Sequence, residues 1–437
     1  YTGHEGSGKA LTPQLDRLAA EGTVFGNAWA TAPWTLPAHA SMFSGMLSSS
    51  HGCHINHWRF DEEHTTLAAV LTDAGYETAA FFSNPWLSDR ISGVLRGFAI
   101  RNEAPLSDMT NMSLGRSDQG GASINSHIKE WLDGRGDGAP FLLFVNYLEA
   151  HLPYDPPSEY RAEHLTDLPP GDIVTVAWSE EFNAGLHPPG SVEWPRIHRL
   201  YGGDVYHADR LLAGLISMLQ ERGLYDNSVI IVTSDHGENL GDHGLMDHQF
   251  SVHETLLSVP LAIRAPHALK PGAHDEPVML IDLFATILDF AGVTDEGIPP
   301  LSRSLRPLQY KTASSADPTG WNDRMLIAEY GGGHATLINS LNDLNPGLER
   351  QEFERGYRTV RRGDYRLTIG TDDSLWLHNL AADPAQQTNI AKEHPQIVEE
   401  LYVEMRRLLS REFKQDPEQI DIDEESLKKL RSLGYIK

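Results

Sequence analysis

Apolar positions along the chain fall into two rhythms. Residues 12–22 (T-P-Q-L-D-R-L-A-A-E-G) place Leu15, Leu18 and Ala19 on one helical face. Thr12 stands where a cap belongs, Pro13 suits a first turn, and Gly22 is a stop. The same spacing predicts helices over residues 66–74, within 118–133, over 201–222, at the end of 278–291 and over 394–413, with a further one in the tail at 423–435. The second rhythm is a short, unbroken apolar run. Residues 78–83 (T-A-A-F-F-S), 140–147 (P-F-L-L-F-V-N-Y), 228–233 (S-V-I-I-V-T) and 260–265 (P-L-A-I-R-A) read as strands buried on both faces. Strands alternating with helices predict an α/β fold, with a mostly parallel central sheet covered by helices on both faces. Beyond about residue 308 the pattern loosens around Gly331, Gly332 and Gly333. It resumes at 357–362 and 365–369 as a pair of short antiparallel strands. With 437 residues, two units are expected: a catalytic α/β domain over 1–310 and a smaller α+β domain over 311–437.

One stretch stands apart from these rhythms. Residues 31–52 read T-A-P-W-T-L-P-A-H-A-S-M-F-S-G-M-L-S-S-S-H-G. Pro33 and Pro37 bracket Thr35. Pro37 pushes Leu36 away from helical angles and then suits a first turn. Ala40, Phe43 and Met46, spaced by three, would face inward. Thr35 would then sit at a helix N-terminus, where free N–H groups and the helix dipole favour an anion. A hydroxyl beside an anion hole suits attack on a phosphoryl or sulfuryl centre. Taken alone, the stretch also reads as an ordinary capped helix.

Composition narrows the partners. Acids outnumber bases 61 to 35, for a formal charge of −26. That balance argues against nucleic acid and against anionic lipid. No run approaches the roughly 18 apolar residues of a membrane-spanning helix. Cys53 is the single cysteine, so no internal disulfide is possible. The compartment stays open, with the cytoplasm favoured. A small anionic ester as substrate would need local positive charge, which a divalent metal ion could supply.

The remaining candidates lie where strands end, the edge at which open α/β sheets bind ligands. Asp235 and His236 follow the run S-V-I-I-V-T directly and pair a carboxylate with an imidazole, a reasonable set for a divalent metal. Asp235 could equally cap a helix. His248, in a glycine-bounded loop, could protonate a leaving group as an exposed loop histidine, or could be a surface histidine without a role. His151, in Y-L-E-A-H-L-P-Y-D-P-P, presents the same pair of readings. His39, one turn past Thr35, could touch the same anion or sit on a solvated helix face. Several independent strand-to-loop junctions thus bring Thr, Asp or His to one sheet edge, which has the form of a metal-assisted ester hydrolase.

These motifs also carry a resemblance. T-P-Q-L-D-R-L-A-A-E-G, P-A-H-A-S-M-F-S-G with S-S-H-G, and A-G-Y-E-T-A-A-F are followed by L-E-A-H-L-P-Y-D-P-P, S-D-H-G-E-N-L-G-D-H-G and V-P-L-A-I-R-A-P. I-D-L-F-A-T-I-L-D-F-A-G-V, L-H-N-L-A-A-D-P-A-Q-Q-T-N-I-A and the final L-R-S-L-G-Y complete the series. In that order they resemble the sulfatase family, within the alkaline phosphatase superfamily. The resemblance implies that Thr35 occupies the nucleophile position and that Asp235 and His236 hold a metal ion with it. His151 and His248 match histidines that contact the transferred group and assist the leaving oxygen. Asn56 falls near a substrate-contacting position, as does His39.

Departures from the family's pattern shape the expectation. The usual cysteine or serine, matured to formylglycine, is Thr35 here; the arginine position is His39, and the lysine before the second histidine is Asp247. A threonine nucleophile resembles that of phosphodiesterase-like and phosphotransferase-like relatives. In the family, a strand with one or two metal-binding aspartates directly precedes the segment matched by residues 1–3. Without it, the metal would have Thr35, Asp235 and His236 alone and be held weakly. The expected activity is metal-dependent hydrolysis of a sulfate or phosphate ester, the ion being Mn²⁺, Zn²⁺ or Ca²⁺. A phosphotransferase on the same fold, or a catalytically silent binding member, is the alternative.

Overall fold

A computed structural model describes residues 11–105, 118–136, 138–169, 171–188, 190–294, 297–310 and 320–409. The segment at residues 1–3 and the tail helix expected at 423–435 lie outside these residues.

Helix α1 (Pro13–Glu21) leads into strand β1 (Thr23–Phe25). Thr12 stands at the cap, but its side chain makes no capping bond. The free N–H groups of Gln14 and Leu15 donate instead to the Asp209 carboxylate, at 2.9 Å each. Helix α2 (Thr35–Ser44) has all ten residues buried and ends at Gly45, whose φ of +73° is left-handed. A Cβ there would also press within 3.2 Å of Phe284 and Ser302, so glycine serves both the cap and the packing. Helix α3 (Leu67–Asp73) is capped by Thr66, which accepts from the Ala69 N–H.

Strands β2 (Glu77–Phe82) and β3 (Ile100–Glu103), helix α4 (Gly121–Gly134) and strand β4 (Phe141–Asn146) follow. The three strands form a parallel sheet in the order β3-β2-β4. Ala79 and Phe81 pack with Ile124 and Ile128 of α4 in one core, while Ala80 and Phe82 enter another with Phe43 and Phe284. Covering on both faces is why this strand is apolar without alternation.

Helix α5 (Trp194–Glu221) is 28 residues long and begins before the expected residue 201. Pro195 suits its first turn, and Ile197 and Leu200 are buried in a local core beneath His198 and Arg199, whose polarity had masked the helical period. Strands β5 (Ile230–Thr233), β6 (Leu261–Arg264) and β7 (Gly272–His274) join β1 in a second sheet, ordered β7-β1-β6-β5. Here β1 is parallel to β7, and β6 runs antiparallel to both β1 and β5. The run at 260–265 is buried as expected, but its direction is set by partners that local pattern does not reveal.

Helix α6 (Asp282–Ala291) precedes four antiparallel strands in sequential order, β8 (Leu326–Tyr330), β9 (Tyr357–Arg362), β10 (Tyr365–Gly370) and β11 (Leu375–Asn379), with helix α7 (Pro395–Leu409) against them. The expected pair at 357–362 and 365–369 is the middle of this sheet. Its inner residues Ile327, Val360 and Leu367 belong to the same core as Trp29 and Leu280. Arg324 and Asp282 pin the two parts together through a buried two-point ion pair at 2.5 and 2.7 Å.

Among the described residues β4 pairs only with β2, and β5 only with β6. Residues of both strands line a cavity of about 1360 Å³. Every residue of both strands is half-buried, whereas five of the six in β2 are fully buried. Thr35, Asp235, His236 and His151 line one part of this cavity.

Candidate active site

Thr35 is the first residue of α2, placed there by the extended backbone of Trp34. Its side chain is 1% exposed. The Oγ1 accepts a hydrogen bond from Asn84 Nδ2 at 3.2 Å and lies 3.5 Å from His236 Nε2. Asn84 follows the end of β2, and its Oδ1 accepts from the Trp86 N–H at 3.0 Å, which fixes the amide's orientation. Asn84 is a site residue that the sequence reading missed. The signal was available, since a polar residue directly after a buried apolar strand is what singled out Asp235.

Asp235 and His236 leave the end of β5 into the same space. No helix follows them, so Asp235 is not a helix cap. Its Oδ2 lies 3.5 Å from His236 Nε2 and 3.4 Å from His39 Nδ1. Burial opposes its charge, but His236, His39 and His248 more than offset that and hold the carboxyl below its usual range. His236 donates from Nδ1 to the Gly237 carbonyl at 2.8 Å, which leaves the Nε2 lone pair facing Asp235 and Thr35. Burial draws this imidazole down to about 4, so it is neutral.

His39 is 2% exposed and does not lie on a solvated face. Its Nδ1 donates to the Thr35 carbonyl at 2.9 Å, one turn back along α2. The ring meets Phe144 of β4 edge-on at 5.6 Å. The position expected to bind substrate therefore braces both Thr35 and Asp235.

His248 also differs from expectation. It is fully buried, with Nδ1 2.7 Å from Asp247 Oδ1 and 3.5 Å from Glu238 Oε2. Burial disfavours its charge, yet the two carboxylates override that and raise it well above its usual value. Asp247, at a left-handed φ of +72°, accepts from the backbone N–H of His248 at 2.6 Å. Burial opposes the charge of Asp247 too, but the His248 charge draws the carboxyl down to about 2, while burial pushes Glu238 up to about 7. Glu238 was not singled out from sequence, although it stands in the S-D-H-G-E run.

The His248 ring sits 4.3 Å from that of His236 and 5.1 Å from that of His151. His151 donates from Nδ1 to the Leu152 carbonyl at 2.7 Å, and burial lowers it to about 4. The fold thus brings Thr35, His39, His151, Asp235 and His236 to the lining of one cavity, with His248 buried beside His151 and His236. Asn56 is not among them. It is exposed on a loop, where its backbone N–H donates to His54 Nδ1.

The family model described as Sulfatase matches residues 1–293. The chain belongs to the sulfatase family. Similar proteins include an arylsulfatase K of Canis lupus familiaris, 24% identical over 94% of this chain and 80% of the relative. A choline-sulfatase of Rhizobium meliloti is 24% identical over 87% and 77%. The chain also superimposes on a phosphonate monoester hydrolase of Agrobacterium radiobacter, with a TM-score of 0.71 at 21% identity over 92% of this chain and 90% of that one. A second solved structure, bound to its substrate D-glucosamine-2-N,6-O-disulfate, gives 0.69 at 20% identity over 92% and 93%. These likenesses establish the alkaline phosphatase-like α/β fold of the chain.

Proposed function

We propose that this sulfatase-family chain hydrolyses a small sulfate or phosphate ester through a threonine nucleophile. The observation that carries the reading is the convergence of Thr35 Oγ1 and Asp235 Oδ2 on His236 Nε2, each 3.5 Å from that one nitrogen. A hydroxyl, a carboxylate and an oriented imidazole lone pair suit a divalent cation of the Mn²⁺ or Zn²⁺ type. Bound by Asp235, His236 and Thr35, such an ion would supply the positive charge that makes a threonine hydroxyl acidic enough to react near neutral pH.

The chain's own residues account for the remaining steps. Asn84 orients Thr35 Oγ1, and the positive end of α2 attracts the ester's anionic oxygens. Thr35 Oγ1 releases its proton to bulk water and bonds to the sulfur or phosphorus in line, and the bond to the leaving oxygen breaks. The imidazolium of His248, held by Asp247 and Glu238, delivers a proton to that oxygen, so the leaving group departs as an alcohol. Neutral His151 accepts a proton from the water that cleaves the threonyl ester and passes it to the departing Thr35 oxygen, restoring the hydroxyl, while His248 is reprotonated from solvent. With His39 and Asp247 in place of an arginine and a lysine, the positive charge beside His151 and His236 comes from His248.

The test is a panel of 4-nitrophenyl sulfate, phosphate, bis-phosphate and phosphonate esters, assayed with Mn²⁺ or Zn²⁺ and again with a chelator. Metal-restored turnover of at least one ester supports the reading. Transfer of the group to an added alcohol in place of water would favour the phosphotransferase. No turnover of any ester with metal added would leave a silent binding member and defeat the proposal.

A further inference from the structure

A second cluster lies outside the pocket. Asp118 stands just ahead of α4, Glu149 lies between the end of β4 and His151, and His207 is on the middle of α5. One ligand atom from each falls within 4.8 Å of the other two. Asp118 Oδ1 caps α4, accepting from the N–H groups of Gly120 and Ala122 at 3.2 and 3.1 Å. Glu149 is fully buried, and its Oε1 accepts from the Gly121 N–H at 2.8 Å. A Cβ on Gly121 would stand 2.2 Å from that oxygen, so the glycine is what lets the helix start close over the carboxylate.

The other half of the cluster is unsatisfied. Glu149 Oε2 and His207 Nε2 are both buried without a hydrogen-bond partner. A second carboxylate, Asp118, is packed against the first, and burial together with its charge pushes Glu149 up to about 8. Two carboxyls and an imidazole nitrogen facing inward need a positive charge among them, either a shared proton or a cation. One nitrogen and carboxylate oxygens form a ligand set for a first-row divalent ion. Asp118 and His207 are only half-buried, which leaves a route from solvent.

We infer that Asp118, Glu149 and His207 form a second divalent-cation site, of the Zn²⁺ or Mn²⁺ class, separate from the Asp235–His236 centre. Bound there, the ion ties the start of α4, the loop after β4 and α5 at one point. That loop carries His151, whose carbonyl already accepts from Gln119 Nε2 at 2.7 Å. The site is therefore a brace for the His151 loop rather than a reaction centre.

The test measures metal binding, not turnover. Zn²⁺ and Mn²⁺ are titrated by equilibrium dialysis with elemental analysis into the full chain carrying Asp235→Asn and His236→Asn, which removes the other centre. One equivalent of ion is expected to remain. Adding His207→Gln is expected to weaken it by at least about 100-fold, the upper end of what an outer-sphere partner costs. Glu149→Gln should do the same, and the ion should raise the melting temperature of the parent but not of either variant. Absence of that equivalent, or retention of it in both His207→Gln and Glu149→Gln, would overturn the site and leave a proton shared between Asp118 and Glu149.

Discussion

The Oγ1 of Thr35 lies 3.5 Å from Nε2 of His236, although 201 positions separate the two residues. Neither is brought there by its neighbours in sequence. Thr35 is held by the start of α2 and by Asn84, and His236 by the end of β5 and the Gly237 carbonyl. The proposed chemistry depends on that meeting.

Replacing the hydroxyl is the most direct test. Thr35→Ala is expected to lower kcat by on the order of 10³-fold or more, with little change in melting temperature. Thr35→Ser should keep measurable turnover. Steady-state kinetics with thermal melts checks both; near-normal activity in Thr35→Ala would remove it from the mechanism.

Asn84 orients the nucleophile without taking part in bond making. Asn84→Ala is expected to reduce kcat by about 10–100-fold with KM nearly unchanged, since the hydroxyl survives but its direction does not. An equal loss falling on KM alone would mean that Asn84 binds substrate instead.

His39 braces Asp235 and the Thr35 carbonyl. His39→Ala is expected to weaken metal binding at the Asp235 centre by about 10–100-fold, as the loss of an outer-sphere partner does. Calorimetric titration of wild type and variant with Mn²⁺ reads this directly. Unchanged affinity combined with a raised KM would return His39 to a substrate-contacting role.

Acid sensitivity should trace in part to His51. Its Nδ1 accepts from the Cys53 N–H at 3.1 Å, and its Nε2 donates to Ser41 Oγ at 3.1 Å. Burial, reinforced by His64 and His54, lowers it from 6.5 to about 3. Between those values the unfolded chain binds the extra proton and the folded chain does not. The contribution to stability is whole above 6.5 and is lost as the pH falls through that window towards 3. Urea midpoints at about pH 7 and about pH 4.5 should fall less for His51→Gln than for wild type.

Removing one partner of the buried Arg324–Asp282 pair strands a charge. Arg324→Ala is expected to cost about 3–5 kcal/mol in urea unfolding. Asp282 also accepts from the N–H groups of Met279 and Arg303, so the loss should loosen the approach from α6 to β8. A cost below about 1 kcal/mol, the value of an exposed pair, would show that the pair is hydrated.

Most elements were legible because local rules set them. The spacing of Leu15 and Leu18 marks α1, Gly75 closes the segment after α3, and the unbroken apolar run in β2 reflects packing on both faces. The order of motifs carried the family. What local pattern could not supply was pairing. The antiparallel direction of β6 and the outer strands β8 and β11 depend on distant partners. The same limit hid Glu238, whose role exists only beside His248, whereas Asn84 followed a buried apolar run and could have been read.

The chain's own order of residues determined which side chains stand at element ends: Thr35 at the start of its helix, Asp235 and His236 after β5, His151 beyond β4. Periodicity and turn chemistry act within a few residues, so a sequence records them. Tertiary structure alone decided what those side chains face. It set His39 against Asp235 and the Thr35 carbonyl and buried His248 between two carboxylates, and it carried Asn56 out to the surface. Burial and electrostatic coupling act through space over a few ångströms, and the positions they join lie up to two hundred residues apart.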